Sequence, residues 1–226
     1  MDRTVNRHEI KYSVSVFQAE LLKRRLGALL RPDSHAGEDG GYFIRSVYFD
    51  DPDFTAYHEK LAGVKERTKY RIRFYNNDPS VIYLEKKTKD GDMTGKDSVR
   101  LTWAGAQALL KGDDRLRTQD GLLGELGRLR QGVWRPVVIV DYDRFAFTYP
   151  DGNVRVTVDM NVRTCPYRTD IFTPDLLTVP VLDDGEAVLE VKYDAFLPAP
   201  VRALLEGVPK QHTAVSKYTK CLSIIE

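Results

Sequence analysis

The sequence predicts an α+β fold, in which helices flank an antiparallel sheet of about eight strands. Segments that alternate polar and apolar residues recur along its 226 residues, and stretches with helical apolar spacing lie between them. The connections between neighbouring strand segments are short, which favours antiparallel pairing over repeated parallel crossover units. With 42% hydrophobic residues the chain has enough apolar material for a substantial core. We expect one domain over residues 1–226.

The strand predictions rest on period-two alternation and on β-branched and aromatic content. The eight predicted strands cover residues 7–14, 42–49, 66–75, 81–89, 97–101, 136–147, 154–160 and 187–193.

The helix predictions rest on caps and on apolar residues at helical spacing. Ser15 and Gln18 form a possible capping box at the start of "SVFQAELLKRRLGALL", before Pro32. A second, short helix is predicted to begin at residues 51–52 and to end at Gly63. Further helices are predicted over residues 103–111, 122–130, 201–206 and 215–225.

Overall charge and composition exclude several classes of partner. The formal net charge is +1, from 34 basic and 33 acidic residues, so nonspecific binding to nucleic acid or membrane is not expected. Cys165 and Cys221 match neither a disulfide framework nor a metal site, which suits the cytoplasm. No apolar run approaches the roughly 20 residues that span a bilayer, and the amino terminus lacks a signal-peptide core. Any anion site must be local.

The stretch "ERTKYRIRFY" carries a cation at every second position. On a strand these side chains share one face: Arg67, Lys69, Arg71 and Arg73. Taken alone, such a row is typical of a solvated sheet face.

Other predicted strands also have one ionic face. Their ionic residues are Arg7, Glu9 and Lys11, then Glu85, Lys87 and Lys89, then Lys96 and Arg100, then Arg144, then Arg155 and Asp159, and finally Glu190 and Lys192. An open sheet would present these charges to water. A sheet closed on itself would turn them inward, where repulsion and desolvation require water and a polyanionic guest. This density of cations favours phosphate chains, because the Arg fork binds phosphate oxygens in pairs.

Four carboxylates share the alternating faces with the cations: Glu9, Glu85, Asp159 and Glu190. They could neutralise neighbouring Arg and Lys side chains, an interpretation favoured for Glu9 and Glu85. Alternatively, one or more could hold a hard divalent cation whose shell is completed by phosphate oxygens. Glu190 is the strongest candidate for that metal site.

Eight ordered motifs between residues 7 and 222 resemble one known family. They are "RHEIKY", "SVYFD", "ERTKYRIRFY", "YLEKKTKDGDMTGKDSVR", "YDRFAF", "VRVTVDMNV", "LEVKY" and "SKYTKCL". The set resembles the VTC domain, the polyphosphate polymerase branch of the triphosphate tunnel (CYTH-like) superfamily. The resemblance implies an eight-stranded antiparallel β-tunnel or barrel with a basic interior, flanked by helices, and an acidic residue that binds Mn²⁺ or Mg²⁺.

The resemblance also implies roles for individual residues. The residues that look like the family's catalytic phosphate-binding cations are Lys11, Arg71, Arg73, Lys87, Arg144, Arg155 and Lys217. Lys96 and Arg100, in "TGKDSVR", are further substrate-binding candidates by the resemblance, and the ionic strand faces add Arg67, Lys69, Lys89 and Lys192. Glu190 resembles the metal-binding glutamate, with Glu9, Glu85 and Asp159 as additional candidates.

The activity implied by the resemblance is transfer of the γ-phosphoryl group of ATP to a growing polyphosphate chain. The expected partners are ATP and inorganic polyphosphate, without nucleic acid, and a membrane or regulatory partner is left open. Two alternatives stay open as well. One is a hydrolase of triphosphate or polyphosphate that uses the same cavity. The other is a noncatalytic polyphosphate- or RNA-binding module, which the aligned carboxylates disfavour.

Overall fold

All strands described in the computed structural model belong to one antiparallel sheet. The structure describes residues 7–91, 93–183, 185–208 and 216–226. The strands are β1 (His8–Ser15), β2 (Arg31–Pro32), β3 (Gly41–Asp50), β4 (Glu66–Tyr75), β5 (Asp78–Asp90), β6 (Met93–Leu101), β7 (Arg135–Tyr149), β8 (Val154–Pro166), β9 (Val179–Pro180) and β10 (Glu186–Tyr193). The helices are α1 (Val16–Leu29), α2 (Thr55–Leu61), α3 (Trp103–Lys111), α4 (Gly121–Gly132), α5 (Ala199–Leu204) and α6 (Lys217–Ile225).

The sheet runs in the order β1-β10-β8-β7-β3-β4-β5-β6, with β2 added beside β7 and β9 beside β8. All eight predicted strands are present, so the predicted α+β class and antiparallel sheet are confirmed. The two additional strands are only two residues long.

The sheet curls into a tunnel-like shape without closing by hydrogen bonds. Within the described ranges, no strand pairing joins its edge strands β1 and β6. An ion pair nevertheless crosses the gap, because Lys87 Nζ on β5 lies 3.0 Å from Glu9 Oε2 on β1. The predicted barrel therefore has an open seam. Charged side chains near this edge also disfavour its pairing with another chain.

Local signals explain most of the helix boundaries. The capping box of α1 is confirmed: the Gln18 N–H donates to Ser15 Oγ at 3.1 Å, and the Ser15 N–H donates to Gln18 Oε1 at 2.9 Å. Helix α3 has the predicted bounds, and α4 and α5 differ from prediction by one or two residues at each end. Helix α6 begins at Lys217, whereas residue 215 of its predicted start lies outside the described residues.

Helix α2 begins three residues later than predicted, at Thr55. Phe54 has φ = +50°, a left-handed conformation that cannot belong to a right-handed helix. The Asp51 carboxylate accepts the Thr55 N–H at 2.9 Å, and the buried Asp50 carboxylate accepts the N–H groups of Ala56 and Tyr57. Two side chains that precede the helix therefore satisfy its first backbone donors.

Three apolar clusters pack helices against the curled sheet, and the first two lie on its outer face. One lies beneath α3 and α4 and includes Ile72, Phe74 and Leu126, all fully buried. The second packs α1 and α5 against β8 and β10, and the third packs α2 and α6 against β3 and β7. Burial of each such aliphatic side chain contributes about 1.5–3 kcal/mol, and a slip of one residue would expose the whole set. The apolar faces thus fix which faces of the strands turn inward.

Within the described part of the chain, no helix combines the length and the apolar character needed to cross a lipid bilayer.

Candidate active site

The charged face of β4 points into the space that the curled sheet surrounds. Tyr70, Ile72 and Phe74 of this strand are packed in the cluster under α3 and α4. Side chains at the alternate positions must then point to the opposite face. There they line a cavity of about 240 Å³: Arg67, Lys69, Arg71 and Arg73. The row therefore faces an enclosed space instead of bulk water.

Most of the predicted site residues meet in this cavity. The predicted cations that line it are Lys11, Arg67, Lys69, Arg71, Arg73, Lys87, Lys89, Arg144, Lys192 and Lys217. Two of the predicted carboxylates, Glu9 and Glu190, line it with them. These side chains come from β1, β4, β5, β7, β10 and α6, so only the tertiary fold could assemble them.

Glu85 lies beside the cavity, where it binds cations from two neighbouring strands. Its Oε2 accepts from Arg71 Nε at 2.6 Å, and its Oε1 accepts from Lys96 Nζ at 3.1 Å. Arg73 Nη1 is 3.8 Å from Oε2. Burial raises the pKa of the Glu85 carboxyl, but the charges of Arg71, Arg73 and Lys96 outweigh burial and hold this pKa well below its usual value. Glu85 is therefore an anionic support for the arginines.

Asp159 has the same role on the other side of the cavity. Its two oxygens accept from Arg144 Nε at 2.6 Å and Arg144 Nη2 at 2.7 Å, and Lys217 Nζ also contacts Oδ2. The side chain is fully buried, and burial raises its pKa, but the charges of Arg144 and Lys217 lower the pKa to about 2. For Asp159 and Glu85, both metal candidates in the sequence, the structure thus favours charge neutralisation.

Glu9 and Glu190 remain as the carboxylates that reach the cavity. Lys11 Nζ lies between them, 2.9 Å from Glu9 Oε1 and 3.3 Å from Glu190 Oε2. Lys192 Nζ is 2.7 Å from Glu190 Oε1. Burial and the charge of Glu190 raise the pKa of Glu9, but Lys87, Lys11 and Lys192 lower it to about 2. Both side chains are therefore anionic at neutral pH.

Of the predicted metal ligands, these two carboxylates are the ones that could bind a hard divalent cation together with phosphate. Mg²⁺ in phosphoryl-transfer sites is commonly held by one or two carboxylates, with substrate phosphates and water completing its shell. No group of three or more His, Cys, Asp or Glu residues suited to a metal is found in residues 7–91, 93–183, 185–208 and 216–226. The protein can thus supply Glu190 and Glu9 as ligands, and phosphate oxygens would have to supply the rest.

Tyrosines hold two of the cavity arginines in place. Arg71 Nη1 donates to the Tyr48 hydroxyl at 2.8 Å, and Arg73 Nη2 donates to the Tyr142 hydroxyl at 2.7 Å. Burial raises the pKa of Tyr142, but Arg144 and Arg73 outweigh burial and lower it. These hydroxyls orient the guanidinium groups without neutralising their charge.

Three predicted cations lie outside the cavity lining. Arg155 Nη1 pairs with Asp33, and Arg155 Nη2 donates to the Tyr42 hydroxyl at 3.0 Å. Lys96 reaches Glu85 from the neighbouring strand β6. Arg100 donates to the Ser80 backbone carbonyl at 3.0 Å. The structure gives these side chains protein partners in place of a position on the cavity wall.

The sequence analysis missed six cavity residues: Tyr48, Lys60, Thr94, Tyr142, Ser216 and Tyr218. Tyr218 on α6 stacks on Tyr48 with ring centroids 5.0 Å apart, and its hydroxyl donates to the buried Asp50. Lys60 lies on α2, the short helix that precedes the basic row of β4 in the chain. A search for cations on helices next to that row could have found Lys60, whereas the Tyr218–Asp50 contact joins residues 168 positions apart.

Comparison with known proteins gives a match over almost the whole chain. The model of the VTC domain family matches residues 6–225. Vacuolar transporter chaperone complex subunit 4 of Schizosaccharomyces pombe is 29% identical, over 66% of this chain and 24% of the relative. Subunit 2 of the same complex from Saccharomyces cerevisiae is 29% identical, over 75% of this chain and 27% of the relative. The chain thus spans about a quarter of the length of these relatives.

Solved structures share the fold at low sequence identity. HpAC1 from Hippeastrum, described with a dominant triphosphatase activity, has a TM-score of 0.54 and 16% identity, covering 97% of both chains. The PH1819 protein of Pyrococcus horikoshii has a TM-score of 0.52 and 12% identity, covering 96% of this chain and 99% of that one. These similarities support the tunnel-like fold.

Proposed function

This chain belongs to the VTC domain family, and from that premise we propose that it is a metal-dependent polyphosphate polymerase. In this proposal it transfers the γ-phosphoryl group of ATP to the end of a growing polyphosphate chain. The observation that carries the proposal is the cavity itself, in which Lys and Arg side chains from five strands and two helices surround two anionic glutamates. A site that only bound phosphate would gain nothing from the two glutamates.

The reaction needs no nucleophile from the protein. A terminal oxygen of the polyphosphate chain attacks the γ-phosphorus of ATP, and the bond from that phosphorus to the β–γ bridging oxygen breaks. ADP leaves with the electron pair of that bond, and the chain is longer by one phosphate. Catalysis then consists of orienting the two phosphate groups and stabilising their charge.

The cavity cations divide this work by their geometry. Arg71 and Arg73 are oriented by Tyr48, Tyr142 and Glu85, so their guanidinium groups enter the reaction already positioned. Prepositioned charges stabilise a transition state without a reorganisation cost. Lys11 and Lys217 add point charges from β1 and α6.

Glu190 and Glu9 would hold the Mn²⁺ or Mg²⁺ ion, which would neutralise charge on the phosphate oxygens of the donor when bound. A divalent ion at this position would compete with Lys11 and Lys192 for the Glu190 oxygens, which lie 3.3 Å and 2.7 Å from those amines.

The partners and location follow from the family only as proposals. The relatives named above are subunits of a complex, so we propose that this chain also works beside a membrane or regulatory partner. Its location in the cytoplasm stays a prediction.

One assay separates the three functions that the sequence left open. The purified protein is incubated with ATP and Mn²⁺, and long polyphosphate is separated from free phosphate by gel electrophoresis. We expect polyphosphate chains that lengthen with time. Release of phosphate without chain growth would instead identify a hydrolase, and neither product would identify a binding module.

A single carboxylate variant tests the proposed metal site. We expect Glu190→Gln to lower metal-dependent turnover by at least about 100-fold, because it removes a charged ligand while nearly preserving side-chain shape. Glu125→Gln is the matched control, since Glu125 binds Lys86 and Tyr70 away from the cavity. Turnover of Glu190→Gln equal to that of the control, with the fold intact by circular dichroism, would refute the assignment.

A further inference from the structure

A second hollow lies on the outer side of the sheet, behind β4, β5 and β6, and the proposed reaction gives it no role. We call it the outer groove; Glu59, Glu66, Tyr70, Asp90 and Trp134 are among its lining residues. Its volume is about 740 Å³, against about 240 Å³ for the cavity. Helix α2 and the end of α4 flank it.

A row of small residues across three strands forms the floor of the outer groove. Thr68 lies opposite Thr88 across β4 and β5, and Thr88 lies opposite Gly95 across β5 and β6. Larger side chains stand beside this row, among them Tyr70 and Trp134, whose rings meet edge to face with centroids 5.4 Å apart. Small residues next to large ones leave a trough that crosses the sheet.

The outer groove carries carboxylates that lack cationic partners. Glu66 lies directly opposite Asp90 across β4 and β5, and like charges opposite each other destabilise a sheet. Asp90 has one exposed partner, Lys65, at 3.4 Å. Within the part of the chain that the structure describes, the side chains of Glu59 and Glu66 form no ion pair and no hydrogen bond. A bound cation would relieve the repulsion and pair with both.

Two cations, Arg67 and Lys89, line the outer groove as well as the cavity. They alternate along β4 and β5 with the outward-facing residues, so their side chains point toward the cavity. Arg67 also donates to the Val64 backbone carbonyl. These two residues form the wall between the two spaces, and the charges that face outward are those of the carboxylates.

Apolar surface accompanies the carboxylates. Met93 lies opposite Asp90 across β5 and β6 and is 49% exposed, and Leu129 and Trp134 are only partly buried. A small cation bound to the carboxylates would leave this apolar surface in water. A polypeptide segment can cover both kinds of surface with neighbouring side chains, as the stems and charges of Lys and Arg do.

We propose that the outer groove binds a short segment of a partner polypeptide in which Lys or Arg side chains flank a large apolar side chain. The cations of the segment bind Glu59, Glu66 and Asp90, and the apolar side chain packs against Trp134. The cavity repels such a segment because its own lining is basic. The proposal rests on the shape and charge of the groove, so it holds whether or not the cavity transfers phosphate.

The test uses random twelve-residue peptides displayed on phage and selected against the full chain. The Glu59→Lys/Glu66→Lys variant reverses two groove charges, and phage that also bind this variant are discarded by counter-selection. Glu38→Lys/Glu206→Lys is the matched control, since it makes the same change in net charge at two exposed glutamates outside both spaces. The surviving peptides are synthesised with a fluorescent label, and their affinities are measured by anisotropy.

We expect the surviving peptides to be rich in Lys and Arg and to contain a large apolar residue. Their affinity should fall at least about tenfold in the groove variant, because two attractions become repulsions, and less than about twofold in the control. Survival of no peptide, survivors without an excess of basic residues, or an equal loss in the control would overturn the proposal.

Two other occupants are tested with the same proteins. If spermine alone binds as tightly as the selected peptides and loses the same factor in the groove variant, the groove is a site for a small organic cation and the proposal is wrong. If light scattering shows self-association of the unaltered protein that the groove variant abolishes, the occupant is a second copy of this chain, and the proposal is again wrong.

Discussion

Two buried Arg–Asp pairs in this sheet have nearly the same geometry and opposite surroundings. Arg45 Nε and Nη2 donate to the two oxygens of Asp141 at 2.8 and 2.7 Å. Arg144 Nε and Nη2 donate in the same way to Asp159 at 2.6 and 2.7 Å. All four side chains are at most 10% exposed.

The pairs differ in what else contacts them. Arg45 Nη1 donates to the backbone carbonyls of Ile171 and Thr173, so its guanidinium binds only protein groups. Arg144 lines the cavity, and Lys217 adds a second positive charge at Asp159. The pKa values follow this difference: burial raises the pKa of Asp141, whereas Arg144 and Lys217 lower that of Asp159 to about 2 against the effect of burial.

The geometry of a bidentate ion pair therefore does not determine its function; the surrounding groups do. A guanidinium that binds only protein acceptors fastens the 171–173 segment to the sheet. Arg144 lies where cations outnumber carboxylates, so its guanidinium presents positive charge to a ligand. Changes at four positions test this contrast.

Removing the carboxylate of the Arg45–Asp141 pair should have the largest effect on the stability of the fold. We expect Asp141→Asn to lower the free energy of unfolding by about 3–5 kcal/mol, because the buried Arg45 charge is left uncompensated. Urea unfolding measures the change. The control is Asp113→Asn, whose partner Arg115 is 89% exposed, and it should change stability by less than about 0.5 kcal/mol. Equal stability of the two variants would contradict the structural role of the pair.

Removing the guanidinium of the Arg144–Asp159 pair should instead lower turnover. We expect Arg144→Gln to lower turnover with ATP by about 100-fold, near 2.7 kcal/mol, through loss of transition-state charge stabilisation. Its loss of stability should be smaller than that of Asp141→Asn, because Asp159 keeps Lys217.

Arg144→Lys sharpens the same prediction, because a lysine keeps the charge but cannot supply the planar fork. Steady-state kinetics measures the turnover of both variants, and urea unfolding measures their stability. Turnover within twofold of the unaltered protein in Arg144→Gln would contradict a ligand-binding role for this guanidinium.

Lys69 should make phosphate binding in the cavity depend on pH. Burial and then Lys60, Arg67 and other neighbouring cations lower the pKa of Lys69 from 10.5 to about 7, so in the free protein Lys69 becomes neutral as pH rises above 7. A bound phosphate raises that pKa again, so binding takes up a proton and affinity falls with rising pH. Lys69→Arg stays charged, so its affinity should fall about tenfold less between pH 6 and 8.

Isothermal titration calorimetry in buffers of different ionisation enthalpy measures this proton uptake directly. Lys87 also has a pKa lowered to about 7, by burial and then by Lys11, so part of the pH dependence should persist in Lys69→Arg. An identical pH profile for Lys69→Arg and the unaltered protein would contradict the prediction.

The smallest effect is expected at Lys96, the most exposed of the three cations that contact Glu85. Lys96 is 42% exposed where it pairs with Glu85, and Arg71 and Arg73 also contact that carboxylate. We expect Lys96→Gln to change the free energy of unfolding by less than about 1 kcal/mol. Thermal unfolding at low and high salt checks this, and a loss as large as that of Asp141→Asn would mean that Lys96 is essential to the network.

Local signals in the sequence predicted the elements well because they depend on neighbouring residues. Alternation located the eight long strands, and Ser15 with Gln18 located the start of α1. The start of α2 was predicted wrongly, because Phe54 takes a left-handed conformation beside Asp50, and Asp50 in turn binds Tyr218 near the other end of the chain. No local pattern contains that contact.

The order of residues along each strand already specifies which side chains share a face, because alternation is a property of consecutive residues. It therefore already contained the cation row of β4 and the carboxylates aligned with it. The curl of the sheet specifies that Glu85 and Asp159 support arginines, that Glu190 and Glu9 reach the cavity, and that Lys60 also lines it. These contacts join residues far apart in the chain, as in the ion pair of Lys87 and Glu9, which are 78 positions apart. No local pattern specifies such partners, because the curl of the sheet brings them together.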